Sequence, residues 1–184
     1  MTVALGIDLA LRSTGWAIWG DGGGGGRAGR IRTDLAATKG LSTIGRRRLI
    51  ANAITAIIES VHRTDPSVLV VMERSWVGPA ASALLPLHGV VVDAIERTGA
   101  ALCHVSPPAL KRFGAGNGKA GKPEMIAAAQ ACGYAGTSDD EADAYLLALL
   151  GHHLLGGTDH ASPHRASCLA AVEWEIRTYP PHSV

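Results

Sequence analysis

Val3, Leu5 and Ile7 alternate with smaller residues and lead into Asp8, the pattern of a strand with one well-filled face. After a turn-rich gap, Thr14-Gly-Trp-Ala-Ile-Trp19 reads as a second strand and residues 28–33 as a third, so the chain opens as an antiparallel meander. Ile50, Ile54, Ile57, Ile58 and Val61 recur at helical spacing and predict a helix over 42–62, which Asp65-Pro66 ends. Val68 to Met72 is apolar throughout, as a buried strand is. A helix over 79–97, a short strand over 101–105 and helices near 108–113 and 123–132 follow. Three strands, then alternating helices and strands, then helices make an α/β layered domain with a mixed sheet. The chain has no internal repeat.

The segment Ser138-Asp-Asp-Glu-Ala-Asp-Ala-Tyr-Leu-Leu-Ala-Leu-Leu150 places four carboxylates in five residues and then turns apolar. Thr137 or Ser138 can cap a helix here, and acids in its first turn complement the helix dipole. That accounts for part of the charge. Asp140 and Asp143, three apart, share a helix face and repel, while Ala144, Leu147 and Leu150 carry that flank into a core. Two like charges beside a buried face call for a cation, although the segment alone is equally a solvated helix start. Beyond Leu155 the composition loosens at Gly156, Gly157 and Pro163; residues 165–176 read as a last helix, followed by a Pro-Pro tail expected to be mobile.

With 184 residues, 47% hydrophobic and 18% charged, the chain can bury one substantial core. Its net charge of +1 conceals segregation. From Arg27 to Arg48, seven Arg or Lys face the single acid Asp34, whereas Pro123 to His164 contains no Lys or Arg. A basic surface for a polyanion and a separate acidic centre fit that distribution. The three cysteines, Cys103, Cys132 and Cys168, have neither metal-ligand spacing nor a disulfide framework, and no segment reads as a signal or a membrane span, so a cytoplasmic location is expected. The run Gly20-Asp-Gly-Gly-Gly-Gly-Gly26 lacks the lysine and following helix of a phosphate loop and reads as a hairpin turn.

Asp8 and Glu73 each close an apolar strand. If those strands are neighbours, both carboxylates emerge at one edge, and a helix presenting Asp140 and Asp143 completes a cluster. Four crowded carboxylates cannot all ionise cheaply near neutrality without a cation. Oxygen ligands without Cys or His select Mg²⁺ or Mn²⁺ over zinc. Two such ions roughly 3.5–4 Å apart can activate a water and stabilise the leaving oxygen of a phosphodiester.

Gly6-Ile-Asp-Leu-Ala-Leu-Arg-Ser-Thr-Gly15, Val71-Met-Glu73 and Asp140-Glu-Ala-Asp143-Ala resemble, in order and separation, the metal-binding segments of the RuvC family of Holliday junction resolvases. The resemblance covers roughly residues 2–153. It implies a ribonuclease H-like fold with a mixed five-stranded sheet, a homodimer, two Mg²⁺ (or Mn²⁺) per active site held by Asp8, Glu73, Asp140 and Asp143, and paired nicks in a four-way DNA junction. On this reading residues 1–155 are the nuclease domain and 156–184 an extension. Lys111 and Lys122, which flank Gly114-Ala-Gly-Asn-Gly118, resemble the family's paired lysines, the second lying near the scissile phosphate. An ammonium there can stabilise charge building on the phosphate. Trp76, three residues after Glu73, resembles the family's aromatic that stacks on a base. The apolar stripe from Ala83 to Ala94 serves as core or subunit interface.

Together these features predict metal-assisted phosphodiester hydrolysis, with Asp8 bridging both ions and Lys122 steadying the phosphate. Arg46, Arg47, Arg48, Arg112 and Lys119 are expected to follow the DNA arms. Leu9-Ala10 departs from the family's usual Pro-Gly after the first Asp, which leaves room for a branched-DNA nuclease of wider taste for forks, flaps or Y-junctions. A DNA-structure-binding module without catalysis and a fragment of an actin-like kinase are the readings from other classes. Nothing in the sequence identifies a helicase partner.

Overall fold

The computed structural model describes residues 3–20, 26–63, 67–74, 81–171 and 176–178. The alternating segments form β1 (Val3–Asp8), β2 (Ser13–Trp19) and β3 (Arg27–Arg32), each antiparallel to the next. Helix α1 (Thr43–His62) starts where the Ser42 hydroxyl accepts a hydrogen bond from the Gly45 backbone N–H. Then come β4 (Val68–Glu73), parallel to β1, helix α2 (Ala81–Thr98), and β5 (Ala101–Val105), parallel to β4. Four helices complete this part of the chain: α3 (Pro107–Ala115), α4 (Lys122–Gln130), α5 (Asp139–Leu154) and α6 (Pro163–Ala171).

The sheet order is β3-β2-β1-β4-β5, the mixed five-stranded sheet that the pattern implies, extended by a two-residue β6 (Ile176–Arg177) antiparallel to β5. The last helix, expected over 165–176, is described from Pro163 to Ala171, and Ile176 and Arg177 are strand instead, where they satisfy the otherwise open edge of β5. The chain's final residues and Trp76 lie outside the described residues, as does most of the glycine-rich hairpin.

Two apolar layers sandwich the sheet. Ile50, Ile54 and Ile58 of α1 and Leu87, Val91 and Ile95 of α2 pack on Leu5, Ile7, Val70 and Met72 on one face. Helix α5 lies across the other. Every residue from Ala144 to His152 is buried, so this helix is apolar on all sides and carries no simple amphipathic stripe. It approaches the sheet closely because three contact positions are glycine. A Cβ at Gly6 would stand 2.1 Å from the Ala144 carbonyl oxygen, and one at Gly151 only 2.7 Å from Val71 Cγ2 and 2.9 Å from Ala4 Cβ. The third is Gly15, at the acidic end of the helix.

Helix α6 rests on α3, and its Arg165 and Cys168 are buried within the same layer as α5. Residues beyond 155 thus contribute to this core. Cys103, Cys132 and Cys168 are all buried. Among the described residues no helix is long and apolar enough to cross a membrane.

Candidate active site

Asp8 and Glu73 close neighbouring parallel strands, one residue beyond the paired Ile7 and Met72. Side chains alternate along a strand, so Asp8 shares the face of Gly6, and Glu73 that of Val71, both of which meet α5. The cross-strand partner of Asp8 is Gly15. A Cβ at Gly15 would lie 1.9 Å from the carbonyl oxygen of Asp140, so the first turn of α5 sits where a side chain beside Asp8 would otherwise be. Glycine at this one position is what lets the helix deliver Asp140 and Asp143 to the ends of β1 and β4.

The loop after Asp8 is held by two buried threonines. Thr14 Oγ1 donates to the Ala10 carbonyl at 2.6 Å and accepts from the Ala10 N–H at 3.2 Å. Thr33 Oγ1 donates to the Leu11 carbonyl, and the Thr33 N–H donates to the Arg12 carbonyl at 2.9 Å. A fixed loop leaves the Asp8 backbone little freedom.

Electrostatics record the crowding. Burial, followed by repulsion from Asp143, Glu73, Asp140 and Asp139, holds the Asp8 carboxyl well above the ordinary carboxylate range. Glu73 is pushed up to about 7, first by burial and then by Asp143, against the opposing pull of Lys111. Asp143 rises to about 6 through burial and Asp139, with Lys111 opposing. Among the described residues its buried Oδ1 has no hydrogen-bond partner. A buried carboxylate oxygen left without a donor costs free energy, and a hard cation is the partner an all-oxygen set accepts. Among the described residues, no three acidic, histidine or cysteine side chains close around one point as a finished metal cage. The donor set fits Mg²⁺ or Mn²⁺ in its chemistry, and the carboxylates are gathered rather than locked.

Both lysines singled out in the sequence come to this site. Lys111, on α3, acts on Glu73 and Asp143. Lys122, at the start of α4, forms an ion pair with Asp139, which holds the lysine's pKa up and the aspartate's down. Asp139 thus has a partner that its position in the acidic run does not reveal, because the pair spans seventeen residues of chain.

Glu141, between the two predicted ligands, faces elsewhere. Arg30 Nε of β3 lies 2.9 Å from Glu141 Oε1, and the Tyr134 hydroxyl donates to Oε2 at 2.9 Å. Sequence reasoning counted Arg30 with the basic segment and missed this contact.

The predicted DNA-contacting cations are dispersed. Arg46, Arg47 and Arg48 lie on α1, on the sheet face opposite α5. Arg46 lines a recess of about 430 Å³ with Arg12, Leu11, Leu41, Ser42 and Thr43. Arg48 opens instead onto a cavity of about 560 Å³ between α1 and α2, shared with Asn52, Asp93 and Arg97. Arg47 is partly buried, and among the described residues its Nε has no hydrogen-bond partner. Arg112 and Lys119 are exposed, and the Lys119 N–H donates to Asn117 Oδ1 at 3.0 Å. His152 and His153, at the far end of α5, engage Asp159, as His153 Nε2 meets the Asp159 carbonyl at 2.8 Å.

No family model matches the sequence, and no curated protein does. Solved structures do match. A Thermus thermophilus RuvC structure superposes with a TM-score of 0.60 at 22% identity, covering 84% of this chain and 96% of that one. T. thermophilus RuvC in complex with Holliday junction substrate gives 0.56 at 20% identity, covering 91% and 98%. The chain therefore has the ribonuclease H-like fold of RuvC over most of its length.

Proposed function

We propose that this protein is a divalent-metal-dependent endodeoxyribonuclease that resolves four-way DNA junctions by paired, symmetric nicks. The observation that carries the reading is the gathering of Asp8, Glu73, Asp140 and Asp143 where β1, β4 and the first turn of α5 meet, with Lys111 and Lys122 beside them. The likeness in fold to RuvC, one of whose structures holds a Holliday junction substrate, supports the choice of DNA over other phosphodiesters.

In this reading the four carboxylates hold two Mg²⁺ ions, for which Mn²⁺ substitutes. Bound there, the ions supply Lewis-acid polarisation of the phosphodiester and raise the acidity of water. The protein's own groups do the rest. Asp8, enclosed by the other acids, fixes the centre of the site, while Lys111 offsets part of the charge on Glu73 and Asp143. Lys122, exposed at the rim, meets the charge that builds on the phosphate oxygens. Arg46, Arg47, Arg48, Arg112 and Lys119 contact backbone phosphates of the arms, so affinity for a junction falls steeply with salt. Trp76 stacks on a base near the cut. Two coordinated nicks need two sites, and the exposed Leu85 and Val90 on α2 suit a homodimer contact. The enzyme would act in the cytoplasm, with its metal-holding residues all within 1–155 and the segment after them completing the core.

The test is cleavage of a labelled mobile four-way junction beside a matched linear duplex and a three-way fork, with Mg²⁺ and with EDTA, comparing the wild type with Asp140→Asn. Paired, metal-dependent nicks confined to the junction and lost in the variant establish a resolvase. Equal cutting of the fork widens it to a branched-DNA nuclease. Junction binding without cleavage in either Mg²⁺ or Mn²⁺ rejects the enzyme and leaves a DNA-structure binder.

A further inference from the structure

The first turn of α5 must hold Asp140 and Asp143 toward Asp8, although its ordinary helix start is weak. Ser138 is the N-cap residue, but its side chain makes no capping bond. The cap comes from another part of the chain: the Ser138 N–H donates to the Tyr134 hydroxyl at 3.2 Å. That hydroxyl in turn donates to Glu141 Oε2 at 2.9 Å, and Arg30 Nε reaches Glu141 Oε1 at the same distance. The loop accommodates the phenol through Gly136, where a Cβ would stand 2.3 Å from the tyrosine oxygen. Tyr134 is only 6% exposed, and its ring packs at 5.6 Å from that of Tyr145 farther along α5. The link therefore ties strand β3, the loop after α4 and the helix start into one connected unit.

Helix geometry gives this link its purpose. At about 100° per residue, Glu141 projects about 130° from the mean direction of Asp140 and Asp143. A grip on Glu141 therefore leaves those two carboxylates free while fixing the rotation of the turn that carries them. Asp139, on the other flank, is held by Lys122.

We infer that Arg30, Tyr134 and Glu141 are positioning residues that set the rotation of α5 and so tune the affinity of the Asp8–Glu73–Asp140–Asp143 site for its divalent ions. Glu141 is a clamp and not a fifth ligand, and Arg30 serves the acidic centre rather than the DNA. This inference rests on the metal-site reading above. Outer-shell partners of metal sites contribute on the order of ten- to a hundredfold in metal affinity, and an indirect clamp belongs at the lower end.

The experiment measures equilibrium Mn²⁺ binding by electron paramagnetic resonance, together with junction cleavage as a function of Mn²⁺. It uses the full-length wild type, Tyr134→Phe, Arg30→Ala, Glu141→Gln, Glu141→Ala and the Arg30→Ala/Glu141→Ala double variant. Tyr134→Phe keeps the buried ring and guards against loss of fold, which thermal melts monitor. The expected result is a half-saturating Mn²⁺ concentration raised roughly tenfold in Arg30→Ala and Glu141→Ala and less in Tyr134→Phe and Glu141→Gln. Saturating Mn²⁺ should restore kcat, and the double variant should be no worse than Glu141→Ala. Unchanged Mn²⁺ affinity, or a fall in kcat that Mn²⁺ does not restore, overturns the clamp. A wild type that binds Mn²⁺ without cutting DNA defeats the nuclease reading and leaves the binding arm to judge the clamp; one that binds no Mn²⁺ defeats both.

Discussion

Gly15 and Asp140 meet backbone to backbone: a Cβ on the first would lie 1.9 Å from the carbonyl oxygen of the second. The contact joins the cross-strand partner of Asp8 to the residue that opens the acidic pair on α5. Replacing Gly15 by alanine must push the helix away, since backbone cannot yield as a side-chain tip can. Overpacking of this kind costs about 1–3 kcal/mol, and a shift of even about 1 Å at an active site can cost 10²-fold in rate. Gly15→Ala should therefore melt several degrees lower and cut DNA at least tenfold more slowly. Gly89→Ala is the control. It lies within α2 with no described atom within 4 Å of its Cβ position, and alanine there should stabilise by about 0.5–1 kcal/mol. Thermal melts and initial cleavage rates on both variants decide the matter, and a Gly15→Ala protein as active and stable as the wild type would refute the close-packing account.

The second prediction follows from the raised acids. Folded-state pKa values of about 7 for Glu73 and about 6 for Asp143 lie above the ordinary range, so over the interval between them the folded chain keeps protons that the unfolded chain has lost. Stability is then full at the acidic end and declines as pH rises through 6 to 7. For Glu73 alone the loss is on the order of 2–3 kcal/mol, or roughly 5–10 °C in Tm for a chain of this size. In EDTA the Tm should fall between pH 5 and pH 8, and Glu73→Gln should flatten the slope. Saturating Mn²⁺ at pH 8 should recover the loss by binding only the folded form. A Tm in EDTA that is level or rises over this range would show that the carboxylates are not held in conflict.

Much of this site was legible because it follows from strand and helix periods. Asp8 and Glu73 end apolar runs, and the residues at 140 and 143 share a helix face; both features are local. The partnership of Lys122 with Asp139 and the grip of Arg30 and Tyr134 on Glu141 were not legible. They join residues seven to more than a hundred apart, and which of four adjacent acids turns inward depends on how α5 is seated on glycines at 6, 15 and 151. The two-residue β6 escaped for another reason: so short a strand exists only because β5 offers it an edge, and nothing in Ile176-Arg177 itself announces it. The cluster Arg46, Arg47 and Arg48 read as one patch, yet consecutive helical residues diverge by about 100°, and the structure sends Arg46 and Arg48 to separate cavities.

Lys122 and Asp139 yield a third prediction. The lysine is exposed, so its pairing contributes little to stability, and its value lies in where the ammonium is held. Lys122→Ala should leave junction affinity nearly unchanged and slow cleavage on the order of 10²-fold, the scale of losing one donor to a developing oxyanion. Asp139→Asn keeps an acceptor oxygen but releases the charge, and should cost less. Combining the two should be no worse than Lys122→Ala alone. Single-turnover rates beside binding isotherms make the comparison; a loss confined to affinity would reassign Lys122 to the DNA arms.

Arg165 gives the last prediction, which concerns how firmly the segment after α5 belongs to the fold. Its guanidinium is buried, with Nε donating to the Phe113 carbonyl at 3.3 Å, Nη1 to the His160 carbonyl at 2.5 Å and Nη2 to Cys132 Sγ at 3.0 Å, while the cation stacks over the Phe113 ring at 5.4 Å. One side chain thus fastens α6 to α3 and to the turn that ends α4. Arg165→Ala would leave two carbonyls without this donor and a cavity against Phe113, costing about 2–4 kcal/mol. Arg165→Met refills much of the volume without the donors and should recover only part of that. The fall in Tm should approach 10 °C for alanine. Proteolysis of the native protein should then begin in the connection between α5 and α6, because that is the segment the guanidinium holds down. A truncation after Leu155 should behave worse than either substitution, since it uncovers Ala109, Phe113 and Cys132 together. If the truncated chain melts as cooperatively and as high as the full one, the segment is an appendage, and the apolar layer beneath it is complete without Arg165 and Cys168.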